Sequence, residues 1–167
     1  RDGADAGVYE FSGVHSLQGG TGEDIFIFAN DEAAITTIID GGDGINTLDL
    51  SAQDLINQWL IDGANSGRVV NDSNSEGNLF TNIAYLIGGS GRDTFTLAAG
   101  GSISGGIDGG QGDDQLAVAT VQANTWLLGG AGGHSVNGVA SFRNIEGLQG
   151  GAGDDSFEVL SENLDIT

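Results

Sequence analysis

The chain has 167 residues, enough for one domain, with 24 acidic side chains against 4 basic ones and a net charge of -20. That balance leaves no basic patch to neutralise phosphates and argues against nucleic acid as a partner. With 31 glycines and no proline, cysteine or methionine, it offers no disulfide framework or thiolate metal site. Its glycine lacks the three-residue period of collagen, and its Ile, Leu, Val and Phe content is too high for plain disorder.

No apolar run is long enough to span a membrane, and no signal peptide is evident. Asp2–Gly7 reads as a turn and Leu164–Thr167 as the start of a strand, so a fragment of a longer array is expected.

In chain order, glycine turns begin at residues 2, 19, 41, 62, 88, 109, 129 and 150, a spacing near 21 residues. Two residues before the last seven turns stand Leu17, Ile39, Leu60, Leu86, Ile107, Leu127 and Leu148. Seven residues after each start stand Phe26, Leu48, Val69, Phe95, Leu116, Val136 and Phe157. Both columns are wholly apolar, and the following residues alternate as half-buried strands do (Phe95/Leu97, Leu116/Val118).

The expected fold is all-β: a parallel β-solenoid, β-helix or β-roll-like, with about 21 residues per coil and eight glycine turns stacked on one edge. Equivalent residues would sit about 4.8 Å apart, in a rod roughly 35–40 Å long. Ser51–Ile56 is at most one helical corner turn. Residues 71–78 read as a polar surface loop, and Ala98–Gly101 as the opposite corner of a rung.

Rungs come in threes. Phe80–Leu86 matches Phe142–Leu148 and, more loosely, Phe11–Leu17. Asn57–Leu60 matches Asn124–Leu127, and Ile39–Gly42 matches Ile107–Gly110. A single solenoid domain over 1–167 is expected, with units at about 11–79, 80–141 and a partial 142–167.

The sixth position of successive turns holds Asp24, Asn46, Gly67, Asp93, Asp114, His134 and Asp155. Glycines ahead of the acid allow positive φ and turn carbonyls inward. Calcium takes roughly six to eight oxygens from carboxylates and backbone carbonyls, both of which stacked turns supply. Two carboxylates about 4.8 Å apart repel by roughly 1 kcal/mol in water and by more at lower dielectric. A divalent ion reverses that sign and links folding to binding. The competing reading is a set of turn aspartates bonded to their own backbone.

Gly88-Gly89-Ser90-Gly91-Arg92-Asp93-Thr94-Phe95, with its copies at 19, 109 and 150, resembles the G-G-x-G-x-D-x-U-x repeats of RTX (hemolysin-type) calcium-binding β-rolls. The departure is one such turn per coil of about 21 residues instead of tandem nonapeptides. The three-rung unit looks more like repeats of very large bacterial surface or adhesin proteins.

The resemblance implies a calcium site formed by carbonyls of Gly88 and Ser90 with Asp93, facing carbonyls of Gly110 and Gly112 with Asp114. It implies a weaker one from Gly19, Thr21 and Asp24 facing Gly42, Gly44 and Asn46, and an incomplete one at Asp155. The third-rung turns, at 62–65 and 129–132, would interrupt the ladder.

His134, alone in the acid slot, reads as a degraded site, and His15 as strand filler. Trp59 and Trp126 read as corner or core packing, with sugar stacking as the alternative. No nucleophile, base and orienting acid stand together, so no enzyme is expected. The sequence therefore points to a calcium-binding structural repeat of a secreted or cell-surface bacterial protein, a spacer or adhesin segment. Its partners would be calcium ions, neighbouring repeats and cell-surface receptors. The alternative is a glycan-binding or polysaccharide-modifying module.

Overall fold

A computed structural model of the chain describes residues 14–33, 35, 37–129, 133–137 and 139–160. The first glycine turn (2–7), the lead-in from Phe11, turn residues 130–132 and the end of the last unit (161–167) lie outside the described residues.

The chain runs through β1 (Ser16–Gln18), β2 (Ile25–Ile27), β3 (Ile38–Asp40) and β4 (Thr47–Asp49), then a trio, β5 (Gln58–Gly63), β6 (Ser66–Asn71) and β7 (Asn74–Thr81). It repeats as β8 (Tyr85–Ile87), β9 (Thr94–Leu97), β10 (Gly106–Asp108) and β11 (Gln115–Val118), followed by a second trio, β12 (Thr125–Leu128), β13 (His134–Val136) and β14 (Val139–Arg143). β15 (Gly147–Gln149) and β16 (Ser156–Val159) begin a third round. Among the described residues there is no helix, and so none long and apolar enough to cross a membrane.

The strands form two mixed eight-stranded sheets that do not close into a barrel. The first has the order β1-β3-β7-β6-β5-β9-β11-β15, and the second β16-β12-β13-β14-β10-β8-β4-β2. Single strands alternate between the sheets, and each pairs in parallel with its counterpart one round on. Leu17 lies beside Ile39 and Phe26 beside Leu48, 22 residues apart. Leu86 lies beside Ile107 and Phe95 beside Leu116, 21 apart.

The trios break the expected all-parallel pattern. Each stays in one sheet as an antiparallel meander, β5-β6-β7 in the first sheet and β12-β13-β14 in the second. The glycine turn at 62 is therefore a hairpin reversal, and the one that begins at 129 joins two antiparallel strands, so neither leads from one sheet to the other. The expected surface loop at 71–78 is likewise the tight β6–β7 hairpin, in which Asn78 is buried. Ser51–Ile56 contains a turn and no helix, and Ala98–Gly101 is a turn closed by a Gly101 N–H to Ala98 O bond of 2.9 Å.

A unit of four single strands plus one trio makes five sheet-to-sheet steps, an odd number. Equivalent turns consequently exchange edges from one unit to the next. Turns 19–24 and 41–46 lead from the first sheet to the second, turns 88–93 and 109–114 lead back, and turn 150–155 runs in the first direction again. The expectation of one glycine-turn edge is thus corrected: periodicity along the chain does not record which edge a turn occupies.

The core lies between the sheets. Ile39, Leu48, Leu86, Phe95, Ile107 and Leu116 are buried as the two apolar columns require, and so are Val69 and Val136. Leu60 and Leu127 are only partly buried, because β5 and β12 present Trp59 and Trp126 inward instead. Trp59 lies beside Phe95, stacked at 5.3 Å, and meets Phe80 edge-on at 6.1 Å. Trp126 repeats this with Phe157 at 5.3 Å and Phe142 at 6.1 Å. Each inserted pair of strands widens one sheet by about 10 Å, and the tryptophan fills the space between that widened sheet and its partner.

Trp59→Ala and Trp126→Ala are each expected to cost about 3–5 kcal/mol, measured by urea or thermal unfolding. Emission of the folded protein should be blue-shifted and protected from acrylamide. A loss below about 1 kcal/mol would contradict this packing.

Candidate cation site

Sixth-position residues, together with Asn57, Asn124 and Glu146, link the ends of neighbouring strands through a relay of backbone N–H groups to side-chain oxygens. On the edge leading from the second sheet to the first, Asn57 N–H donates to Asp93 Oδ1 at 2.8 Å and Asp93 N–H to Asp114 Oδ1 at 2.7 Å. Asp114 N–H then donates to Glu146 Oε2 at 2.8 Å. On the other edge Asp24 N–H donates to Asn46 Oδ1 at 2.9 Å, and Asn124 N–H to Asp155 Oδ1 at 3.0 Å.

Both anticipated pairs of turns, 88–93 with 109–114 and 19–24 with 41–46, are therefore brought together. Gln111 N–H bonds Gly89 O and Asp43 N–H bonds Gly20 O, each at 3.0 Å. The contact is tight enough to require glycine. A Cβ on Gly110 (φ +96) would lie 2.2 Å from Gly89 O, and one on Gly112 (φ +120) 2.3 Å from Gly91 O. Gly42 and Gly44 meet Gly20 O and Gly22 O in the same way.

Within a turn the second carboxylate oxygen has its own use. Asp93 Oδ2 accepts the Gly89 N–H and Asp24 Oδ2 the Gly20 N–H, both at 2.7 Å. Asp93 thus has both oxygens engaged, and Asn57 Nδ2 adds a third bond at 3.0 Å. Gly88 packs against this carboxylate, while Ser90 Oγ turns outward to donate to Asp54 Oδ1. Gly19 packs against the Asp24 carboxylate in the same manner, and Thr21 is exposed.

The next turn differs. In Ile-Asp-Gly-Gly the aspartate captures the glycine N–H: Gly42 N–H donates to Asp40 Oδ1 at 3.0 Å, and Gly110 N–H to Asp108 Oδ1 at 3.2 Å. The same two aspartates hold Asn82 Nδ2 at 2.8 Å and Asn144 Nδ2 at 2.7 Å. Those asparagines sit at φ +56 and +51, a left-handed conformation that asparagine tolerates. Asp40 is held below the usual carboxylate range by the Gly42 N–H, with the Asn82 amide assisting.

Residues 46 and 114 therefore do not take the second glycine's N–H in their own turns, although Asn46 Nδ2 does reach Asp43 O at 3.3 Å, and here the two units diverge. Asn46 Nδ2 donates to Asn82 O at 3.0 Å. Asp114 occupies the equivalent place but has no N–H to give. A Cβ on Gly41 would lie 2.2 Å from Asn82 O and 2.5 Å from Asn46 Nδ2. One on Gly109 would lie 1.9 Å from Asn144 O and 2.6 Å from Asp114 Oδ2. An acceptor therefore faces an acceptor, and Asp114 Oδ2 is buried without a partner. Such a group costs about 1–3 kcal/mol, more when charged.

Burial pushes the Asp114 carboxyl up to about 6; the Asp93 N–H opposes this, and the charges of Asp93, Glu146 and Asp113 add to it. Burial also raises Asp93, against the N–H bonds it accepts from Gly89 and Asn57.

Among the described residues no three His, Asp or Glu side chains converge as a ready metal cluster. The one buried carboxylate oxygen left without a partner is Asp114 Oδ2, which borders Gly109 together with Asn144 O and feels the charges of Glu146 and Asp113; of the turn ladder's oxygens it is the candidate for a cation. At Asn46 the amide already supplies the positive end of the interaction, so the geometry there needs no ion. Asp155 accepts from Asn124 Nδ2 at 2.7 Å as well as from its N–H. Gly67 lies inside β6 opposite Ile61, and His134 Nδ1 accepts the Gly129 N–H while its ring stacks on Phe142, so neither belongs to the ladder.

Sequence reasoning missed Asn57, Asn124, Glu146, Asp108 and Asn144. The first two carry the signal Asn-x-Trp, which parallels Asp93-Thr94-Phe95 once the glycine requirement is dropped.

No protein-family model matches the chain, and no curated protein matches it.

Because the folded pKa of Asp114 lies above its unfolded value of 3.8, the folded state binds the proton more tightly. Its stability rises as pH falls from above about 6 toward 4. In chelator, Asp114→Asn should raise stability at pH near 8 by about 1–3 kcal/mol, since the new amide can donate to Asn144 O as Asn46 does to Asn82 O. The variant should also lose part of the rise on acidification. Urea titrations of both proteins at several pH values check this, and a destabilised variant at high pH would contradict it.

Proposed function

We propose that the chain is a segment of a repeat-built β-solenoid that binds calcium at its turn ladder. It would serve as a stiff spacer or adhesin stalk in a large secreted or cell-surface bacterial protein. In-register parallel pairing one round apart supports the solenoid, with the meanders as insertions in it. The observation that carries the cation is the buried, unpartnered Asp114 Oδ2 facing a backbone carbonyl.

A divalent ion satisfies both oxygens at once and offsets the charges of Asp93, Glu146 and Asp113. The resemblance of residues 88–97 to RTX repeats points the same way. Calcium is far more abundant outside cells than in the cytosol, so the chain would gain stability on export. At a hundredfold excess of free ion over its dissociation constant, one site contributes about 2.7 kcal/mol. No step of this reading needs catalysis.

The thermal midpoint in about 5 mM calcium should exceed that in EGTA, with near-neutral buffer and circular dichroism as readout. Asp114→Asn should abolish most of the difference, and Asp24→Asn should leave it. Identical midpoints with and without calcium would contradict the proposal.

A further inference from the structure

The outer face of the second sheet carries an open cleft of about 440 Å³ across β8, β10 and β14, with His134 at one side. Its volume falls in the range of small-ligand sites. Its shape follows from two glycines. Gly106 in β10 is paired with Tyr85 in β8 and stands beside Ser141 in β14, so the middle of the row has no side chain. The Tyr85 ring packs against Gly105, where a Cβ would stand 2.7 Å from Cε2 and Cζ. Tyr85 remains 42% exposed, and among the described residues none bonds its hydroxyl.

At the floor's other end Arg143 is anchored on Asp108, Nε at 2.8 Å and a terminal nitrogen at 2.6 Å, while 73% of its side chain stays open to solvent. Asp108 is already saturated by Asn144 and the Gly110 N–H, so it holds the guanidinium in place and neutralises it.

We infer that this cleft binds a neutral oligosaccharide, with Tyr85 as the stacking platform. The apolar face of a pyranose packs on the exposed part of the Tyr85 ring. The outward guanidinium N–H groups of Arg143 line the same cleft as Ser141, whose hydroxyl donates to Gly105 O at 3.2 Å and keeps its lone pairs to accept from a sugar hydroxyl. The Arg143–Asp108 pair has no net charge, and a chain with net charge -20 repels polyanions, so the ligand is a neutral glycan and not an acidic one. Trp59 and Trp126 take no part, since both are buried in the core. The inference is independent of any cation on the turn ladder.

Titration of the intact chain with cellohexaose, laminarihexaose, maltohexaose and an oligogalacturonate, followed by calorimetry and amide chemical shifts, tests it. At least one neutral sugar should bind at millimolar concentration or below and shift amides of β8, β10 and β14. Tyr85→Ala should weaken that binding about tenfold, Tyr85→Phe should leave it nearly unchanged, and Arg143→Gln should weaken it. Unchanged tryptophan emission confirms that the variants fold. Failure of all three neutral sugars, tighter binding of the oligogalacturonate, or wild-type affinity in Tyr85→Ala would each overturn the inference.

Discussion

The rest of the structure depends on the N–H to side-chain relay that runs through Asp24, Asn46, Asp93, Asp114 and Asp155 and their partners Asn57, Asn124 and Glu146. Parallel strands of three or four residues are too short to fix their own register firmly. Asn57 to Asp93, Asp93 to Asp114 and Asp114 to Glu146 fix it from the edge, one bond for each neighbouring pair of strands. Each bond requires turns in backbone contact, which is why Gly110 and Gly112 lie against Gly89 and Gly91 with no room for a Cβ. The apolar columns then fall into line without further instruction. The relay works equally with Asn and Asp as the donor residue, so its composition is free to vary where no ion is needed.

The odd number of steps in the unit is the second constraint. Because the trio stays in one sheet, each new unit begins in the opposite sheet, and the meander falls first in one sheet and then in the other. Two extra strands widen one side of the array, and two more widen the opposite side one unit later. The repeated Trp–Phe–Phe cluster marks both places. The charged glycine turns are likewise shared between the two edges, which spreads the carboxylates of a very acidic chain over a larger surface.

Much of the strand register was legible from Phe26, Leu48, Phe95 and Leu116, because an inward side chain at a fixed distance from a turn must be apolar. The pairing of turn 88–93 with turn 109–114 was legible for the same reason. The hairpins were not, since Asp62-Gly63 and Gly129-Gly130 suit a reversal as well as a coil turn. Core packing of Trp59 and Trp126 was legible, but not their alignment with Phe95 and Phe157, because their turns end in Asn57 and Asn124 without the preceding glycines. The partnerless Oδ2 of Asp114 was hidden for a further reason. It depends on Asp108 taking the glycine N–H and on the carbonyl of Asn144, a residue 30 positions away in sequence.

Asp114 and Asn144 carry the central claim, that an acceptor pair closed by an amide in one unit is closed by a cation in the next. A crystal structure grown with calcium near pH 8, with anomalous scattering to identify the ion, tests it most directly. The expected result is a calcium ion about 2.3–2.6 Å from both Asp114 Oδ2 and Asn144 O, and none at Asn46. The two oxygens in direct hydrogen-bonding contact with no ion between them would contradict it, because a proton would then hold the place assigned to the cation.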